Sequence, residues 1–389
     1  MIAYNTEWLR SLEDRDAADK AFAEGNINKD EKQAVFNAYT VGFYTPNVFV
    51  RIGLFLLTLV IASFSMGLLS MFFIFSANRP ETQFLVLCIV FAIAQFVVLE
   101  LMIKKGHYRS GVDDALMWGS GCAFLGGINS SGSVPGEYNA VLIMLVAVIF
   151  FMRFVNGLMA VLAVLAFGSF VFLLLLDIGP VARAFLPFVL MGLSALFYLL
   201  SVSMGRRENL QLYWRGFRMV RVVALACFAL AGNYYVVREA SASLLGMNFA
   251  SGTGIPFGWL FWIFTVSIPV IYIYFGLRRK DRPLLVVGLL LVAVMVFTIR
   301  FYYHVLPAET AMLLGGVLLV LLAYFAMKYL RAPRNGFTAE ADSTSHRRAT
   351  TQLESLVIAQ TFAGPTAPGD AGVPFGGGSA GGGGAGADF

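Results

Sequence analysis

Two adjacent aspartates, Asp113 and Asp114, open the apolar stretch "GVDDALMWGSGCAFLGGI", and Glu100 closes the apolar run before it. Carboxylates in or at the edge of a bilayer bind cations or relay protons, because hydrocarbon tolerates a charge only when a partner neutralises it. Asp114, with Glu100 as its partner and Asp113 alongside, is therefore the candidate ion or substrate site. Each of the three also has a purely structural reading. Ser110 stands three residues before Asp113, the S-x-x-D spacing in which each side chain satisfies a backbone N–H of the other. Both aspartates fall in a first helical turn, where the helix dipole favours anions. Asp114 points about 100° away from Asp113 and gains no cap, so an ion pair with Arg109 or another loop cation is its structural alternative. Glu100 has Lys104 four residues on, along the same helix face.

Other catalytic chemistry lacks its residues. Cys88, Cys122 and Cys227 lie singly in apolar runs, as small buried hydrophobes do, and His107, His304 and His346 are scattered. With no H-E-x-x-H or paired-cysteine spacing, no metal site and no cofactor are expected. "GSGCAFLGG" has neither the preceding strand nor the lysine of a phosphate-binding loop. "DRDAAD" lacks the glycine and closing glutamate of a calcium loop. Asp113 and Asp114 diverge as neighbours on one helix, which is poor geometry for a hydrolytic pair, so the chain is not expected to be an enzyme.

The elements that must position these carboxylates are set by composition. The chain has 389 residues, 58% of them apolar and 13% charged, against roughly a quarter charged in soluble proteins. A hydrocarbon core of about 30 Å takes about 20 residues of helix. Runs of that size begin near Val48, Phe84, Gly111, Tyr138, Gly157, Ala184, Arg218, Pro256, Pro283 and Ala308. The expected fold is all-α: a polytopic transmembrane helical bundle of about ten spans. The 39 residues from Tyr138 to Leu176 would be twice too long for one span, so a hairpin at "MRFVNG" divides them. The third span, started at Gly111, has 18 residues or about 27 Å, which leaves both aspartates at the membrane edge. Within it Gly119, Ala123, Gly126 and Gly127 supply small residues four apart, which lets another helix approach.

Basic residues orient the bundle. Six of the 28 Lys and Arg precede or open the first span; of the rest, 18 fall on one set of alternate connections and four on the other. The positive-inside rule then puts both termini in the cytoplasm. The net charge of +5 follows from that topology, and no nucleic-acid partner is implied. The lipid bilayer is the partner that composition demands; the basic loops also suit anionic headgroups.

Residues 1–47 carry no cleavable targeting pattern and read as a cytoplasmic helical hairpin segment, two short helices joined at Gly25 with Asn28 and Glu31 capping the second. Residues 48–330 form the transmembrane domain. Residues 331–389 form a cytoplasmic tail with a short helix near 352–362, then a glycine-rich end, "GVPFGGGSAGGGGAGADF", whose nine glycines in 18 residues make ordering unfavourable.

With "AFAEGNINKDEKQAVFNAY" leading directly into a series of spans, the layout resembles the broad group of uncharacterised bacterial multi-pass inner-membrane proteins. The glycine-rich ending with its terminal aromatic is similar to tails on unrelated bacterial membrane-anchored proteins. These resemblances imply the bacterial cytoplasmic membrane. Two functions fit: a non-catalytic membrane component that binds a protein partner through its cytoplasmic termini, or a secondary transporter or ion-coupled permease using Asp114 and Glu100.

Overall fold

The computed structural model describes residues 2–23, 25, 27–74, 80–132, 134–245, 255–279 and 281–303, with single positions between 310 and 328. The chain divides into two compact units, Met1–Ala341 and Asp342–Phe389, and all described residues lie in the first. The tail, with its expected helix near 352–362, lies outside the described residues.

The described residues form α-helices α1 (Thr6–Ala23), α2 (Lys29–Ala38), α3 (Val48–Ile74), α4 (Pro80–Lys104), α5 (Val112–Ile128) and α6 (Gly136–Phe154). They continue through α7 (Gly157–Ile178), α8 (Pro180–Met204), α9 (Trp214–Ala231), α10 (Tyr234–Leu245), α11 (Gly258–Arg279) and α12 (Arg282–Tyr303). No strand occurs among them; one isolated bridge joins Tyr44 to His107. The protein is an all-helical multi-pass membrane protein. Among the described residues seven helices (α3, α4, α6, α7, α8, α11 and α12) are long and apolar enough to cross a bilayer, and α9 with α10 supplies an eighth crossing if the bent pair acts as one.

That count differs from the ten expected spans for three reasons. The helix α5 has 17 residues, about 26 Å at 1.5 Å each, and falls short of a core of about 30 Å. The run from Ala308 lies almost wholly outside the described residues. The seventh span is not a straight helix from Arg218: it begins at Trp214 and bends by 75° between α9 and α10. Asn233 makes the break by capping α10, its Oδ1 accepting from the backbone N–H groups of Tyr235 and Val236 at 3.0 and 3.2 Å.

The long apolar run does divide at "MRFVNG". Val155 takes left-handed φ of 52° to end α6, and the Asn156 side chain accepts from Leu158 N–H at 2.9 Å to start α7. The helices pack as sequential antiparallel pairs, α4 with α5, α6 with α7, α8 with α9 and α11 with α12. The helix α3 touches α5 and α4, and no residue in the most apolar stretch of Val48–Met71 is buried. Of the three cysteines expected to be buried, only Cys88 is; Cys227 is half-buried and Cys122 is exposed.

Helices α1 and α2 fold back on each other. Asn28 and Glu31 complete a reciprocal capping box, and Arg15 donates to the carbonyls of Phe36 and Tyr39. The inner side of this hairpin is aromatic. Tyr4 meets Tyr108 edge-on at 5.0 Å, Trp8 meets Phe43 at 5.2 Å, and Tyr4, Leu9, Phe43 and Tyr108 join a core continuous with Leu99, Met117 and Phe154 at the ends of α4, α5 and α6. Outside the bilayer such burial is stabilised by the hydrophobic effect, which explains why a hairpin too small to fold alone is ordered here.

Candidate functional site

The structure places all three candidate carboxylates at the end of the bundle that carries the hairpin, and gives each a different job. Asp113 is 3% exposed. Its Oδ2 accepts from the Arg109 backbone N–H at 2.7 Å and the Tyr4 hydroxyl at 3.1 Å; its Oδ1 accepts from Ser110 N–H at 2.9 Å and Ser110 Oγ at 3.2 Å. One half of the expected Ser110–Asp113 exchange is therefore present. The other half is not: the residue flanking α5 is Gly111, at φ 94°, and the Ser110 hydroxyl donates to Asp113 instead of accepting from it. Glycine is required at 111, because that φ strains any other residue and a Cβ would strike the Arg51 carbonyl.

The same close approach decides the partner of Asp114. With the first turn of α3 laid against Gly111, the Arg51 guanidinium reaches Asp114 Oδ2, while Asn156 Nδ2 donates to Oδ1 at 3.1 Å. Arg109, the cation next to it in sequence, does not pair with Asp114; its guanidinium lies by the Tyr108 ring. Glu100 accepts from Arg153 Nε at 2.6 Å and does not pair with Lys104. Arg153 stands at the end of α6, where its carbonyl also accepts from Ala3 N–H at 2.9 Å. Asp114 and Glu100 thus belong to separate ion pairs. Between Asp113 and Asp114 lies a cavity of about 10 Å³, which Asn156 and Met117 also line.

The hairpin is tied to the first turn of α9 as well. Asp16 pairs with Arg215 at 2.5 Å, and Glu13 accepts from the Trp214 indole N–H at 2.7 Å. Partial burial pushes the Glu13 carboxyl above its usual value, against the lowering effect of Trp214 and Arg215. Burial, followed by the nearby Asp113 carboxylate, holds the Tyr4 hydroxyl well above the ordinary tyrosine value, and burial likewise raises Tyr108.

The small residues of α5 divide between two faces. A Cβ on Gly127 would stand 2.7 Å from Cys88 Cβ, and one on Gly119 would run into the Gln95 amide, so these two form the seam with α4. Ala123 is half-buried between them. Gly126 looks out into open space, next to the exposed Cys122, and contributes nothing to this seam. Gln95 is itself buried, with no hydrogen-bond partner for Oε1.

Sequence reasoning did not single out Arg51, Tyr4 or Trp214, and only Arg51 carries a signal in the sequence. Arg51 follows the helix-starting Asn47 inside an otherwise uncharged run. A second polar knot lies at the α9–α10 break, where Asn233 and Thr298 exchange hydrogen bonds at 3.1 and 3.2 Å and Tyr234 N–H donates to Thr265. Asp177 and Arg183, which flank a turn in sequence, do not pair; Arg183 donates to the Leu176 carbonyl. Among the described residues no three His, Cys, Asp or Glu side chains converge as a metal site would need. Compared with protein-family models, curated proteins and solved structures, the chain matches none of them.

Proposed function

We propose that this protein is a non-catalytic component of a bacterial cytoplasmic membrane that holds a helical hairpin at the membrane face for a protein partner. Both termini are then cytoplasmic and the spans number about ten, with α5, the α9–α10 pair and the helix expected from Ala308 completing the set. One observation carries the reading: the hairpin is clamped at Tyr4, Ala3, Glu13 and Asp16 to the ends of three helices of the bundle, α5, α6 and α9, while α2 buries none of its residues. Asp30, Gln33, Ala34 and Asn37 fall at i, i+3, i+4 and i+7 on α2 and are all exposed. A rigid support under an open helical face suits recognition, since preorganisation lowers the entropy lost on binding.

The test is affinity purification from native membranes of three forms: the full chain, the chain truncated after Arg348, and the full chain with Ala34→Arg and Asn37→Arg. A stoichiometric partner retained by the first and lost from the α2 variant supports the reading; loss on truncation as well assigns part of the contact to the tail. The same clean protein in all three preparations overturns it. The rival reading is an ion-coupled permease using Asp114 and Glu100, the two carboxylates held by Arg51 and Arg153.

A further inference from the structure

A crevice of about 260 Å³ opens between α8, α9, α11 and α12, lined by Ala224, Leu225 and Phe228 on one side and Ile271, Phe275 and Arg279 on the other. Its lining is mostly apolar, with Ser194, Tyr198, Tyr272 and Arg279 as the polar residues. Ile271 is 46% and Phe275 36% exposed, so the crevice borders the lipid-facing surface. Ser194, Ala195 and Ala224 keep it open, since larger residues there would fill it. Along α9 it runs from Ala224 to Phe228, about 6 Å at 1.5 Å each, and Arg221 stands one turn before it on the same helix.

That end is short of anions. In sequence, residues 205–221 and 276–282 hold nine basic residues against Glu208 and Asp281. Asp16 pairs with Arg215, and Asp281 lies near Arg218. Arg221 lies one turn from Ala224 and Leu225, its guanidinium over the end of α8 at Gly205, and its Nε is buried without a hydrogen-bond partner. Arg218 adds a third positive charge beside it. A buried, unmatched guanidinium donor next to an apolar slot calls for a ligand with an anionic head and a hydrocarbon chain.

We propose that the crevice holds the upper part of one acyl chain of an anionic phospholipid, whose phosphate is bound by Arg221 and Arg279. The apolar volume selects a lipid over a free anion, and the paired arginines select an anionic over a zwitterionic headgroup.

The test uses the purified full-length protein and two photoactivatable probes with the same diazirine-bearing acyl chain, one a phosphatidylglycerol and the other a phosphatidylcholine. Peptide mapping after irradiation reads labelling of residues 221–228 and 271–279, with the lipid-exposed α3 as internal reference. The expected result is a preference for phosphatidylglycerol of up to about thirtyfold at the crevice, from two basic contacts, and no preference on α3. Arg221→Gln with Arg279→Gln removes the preference, and Ala224→Leu lowers crevice labelling by both probes while α3 labelling stays constant. Equal labelling of the crevice by the two probes on the unaltered protein overturns the proposal, independently of how any variant folds. So does displacement of the glycerol lipid by excess inorganic phosphate, which would make the site one for a free anion.

Discussion

The Tyr4 hydroxyl donates to Asp113 across 109 residues of sequence and joins the amino-terminal segment to the first turn of α5. Because Asp113 is buried and also receives two backbone N–H groups and a hydroxyl, it acts as an anchor whose removal is felt in several elements at once.

Substitutions at this anchor have graded effects. Tyr4→Phe deletes one hydrogen bond to a charged group and is expected to destabilise the hairpin's docking by about 1.5–3 kcal/mol. Asp113→Ala leaves the N–H groups of Arg109 and Ser110 buried without an acceptor, and about 3 kcal/mol or more is expected. Thermal melting in detergent of both single variants and the double variant checks this, and a less than additive double variant identifies the coupling. The Tyr4 contribution also depends on pH. Its folded value lies well above the usual 10.0, so this contribution is fully present below about pH 10 and is lost as pH rises toward the folded value. Tyr4→Phe is expected to flatten that part of the alkaline melting profile.

Glu13 is shifted in the same direction, but its window lies at acid pH. Its folded value is raised above 4.5, so the neutral form is favoured by folding: the contribution is present below about pH 4.5 and lost as pH rises through the folded value. Glu13→Gln keeps an acceptor for Trp214 and removes the partly buried charge. At pH 7 the variant is expected to dock its hairpin as firmly as the natural chain or more so, and the two converge at pH 4. Hydrogen exchange of α1 amides at both pH values reads this; a hairpin loosened in the variant at pH 7 would show that Glu13 holds the segment by its charge.

The pairs Arg51–Asp114 and Arg153–Glu100 separate the two functional readings. Both are partly exposed, with carboxylate exposures of 16% and 22%, so each is expected to contribute about 1 kcal/mol or less. If their role is structural, Asp114→Asn and Glu100→Gln both rescue the phenotype of a deletion strain. Loss of rescue in either variant, with normal protein levels, assigns ion-coupled transport to that carboxylate instead.

Neighbouring glycines of α5 are predicted to differ sharply. Gly127→Ala forces a Cβ to within 2.7 Å of Cys88 and close to the Leu85 carbonyl, and overpacking of this kind costs about 1–3 kcal/mol. Gly126→Ala meets nothing within 4 Å and is expected to be neutral or to stabilise the helix by up to about 1 kcal/mol. Melting temperatures of the two variants in one detergent decide it; equal losses would mean that a second molecule covers the Gly126 face.

Much of the architecture was legible from local pattern. Apolar runs of bilayer length identify a multi-pass helical protein, because hydropathy over about 20 residues responds to the same transfer free energy that inserts a helix. The break at Val155 and Asn156 follows from length and polarity, and the α2 cap from Asn28 and Glu31 three residues apart. Tertiary structure alone decided who partners whom. Lys104 and Arg109 are the near neighbours of Glu100 and Asp114, yet Arg153 and Arg51 hold them, 53 and 63 residues away. An ion pair depends on distance in space, and that distance was set when Gly111 let the start of α3 touch α5. In the same way, residue spacing marks Gly119, Gly126 and Gly127 as small, but only the rotation of α5 against α4 turns two of them inward and one out. Inside a bilayer that rotation is set by packing between helices, which no single segment of sequence contains.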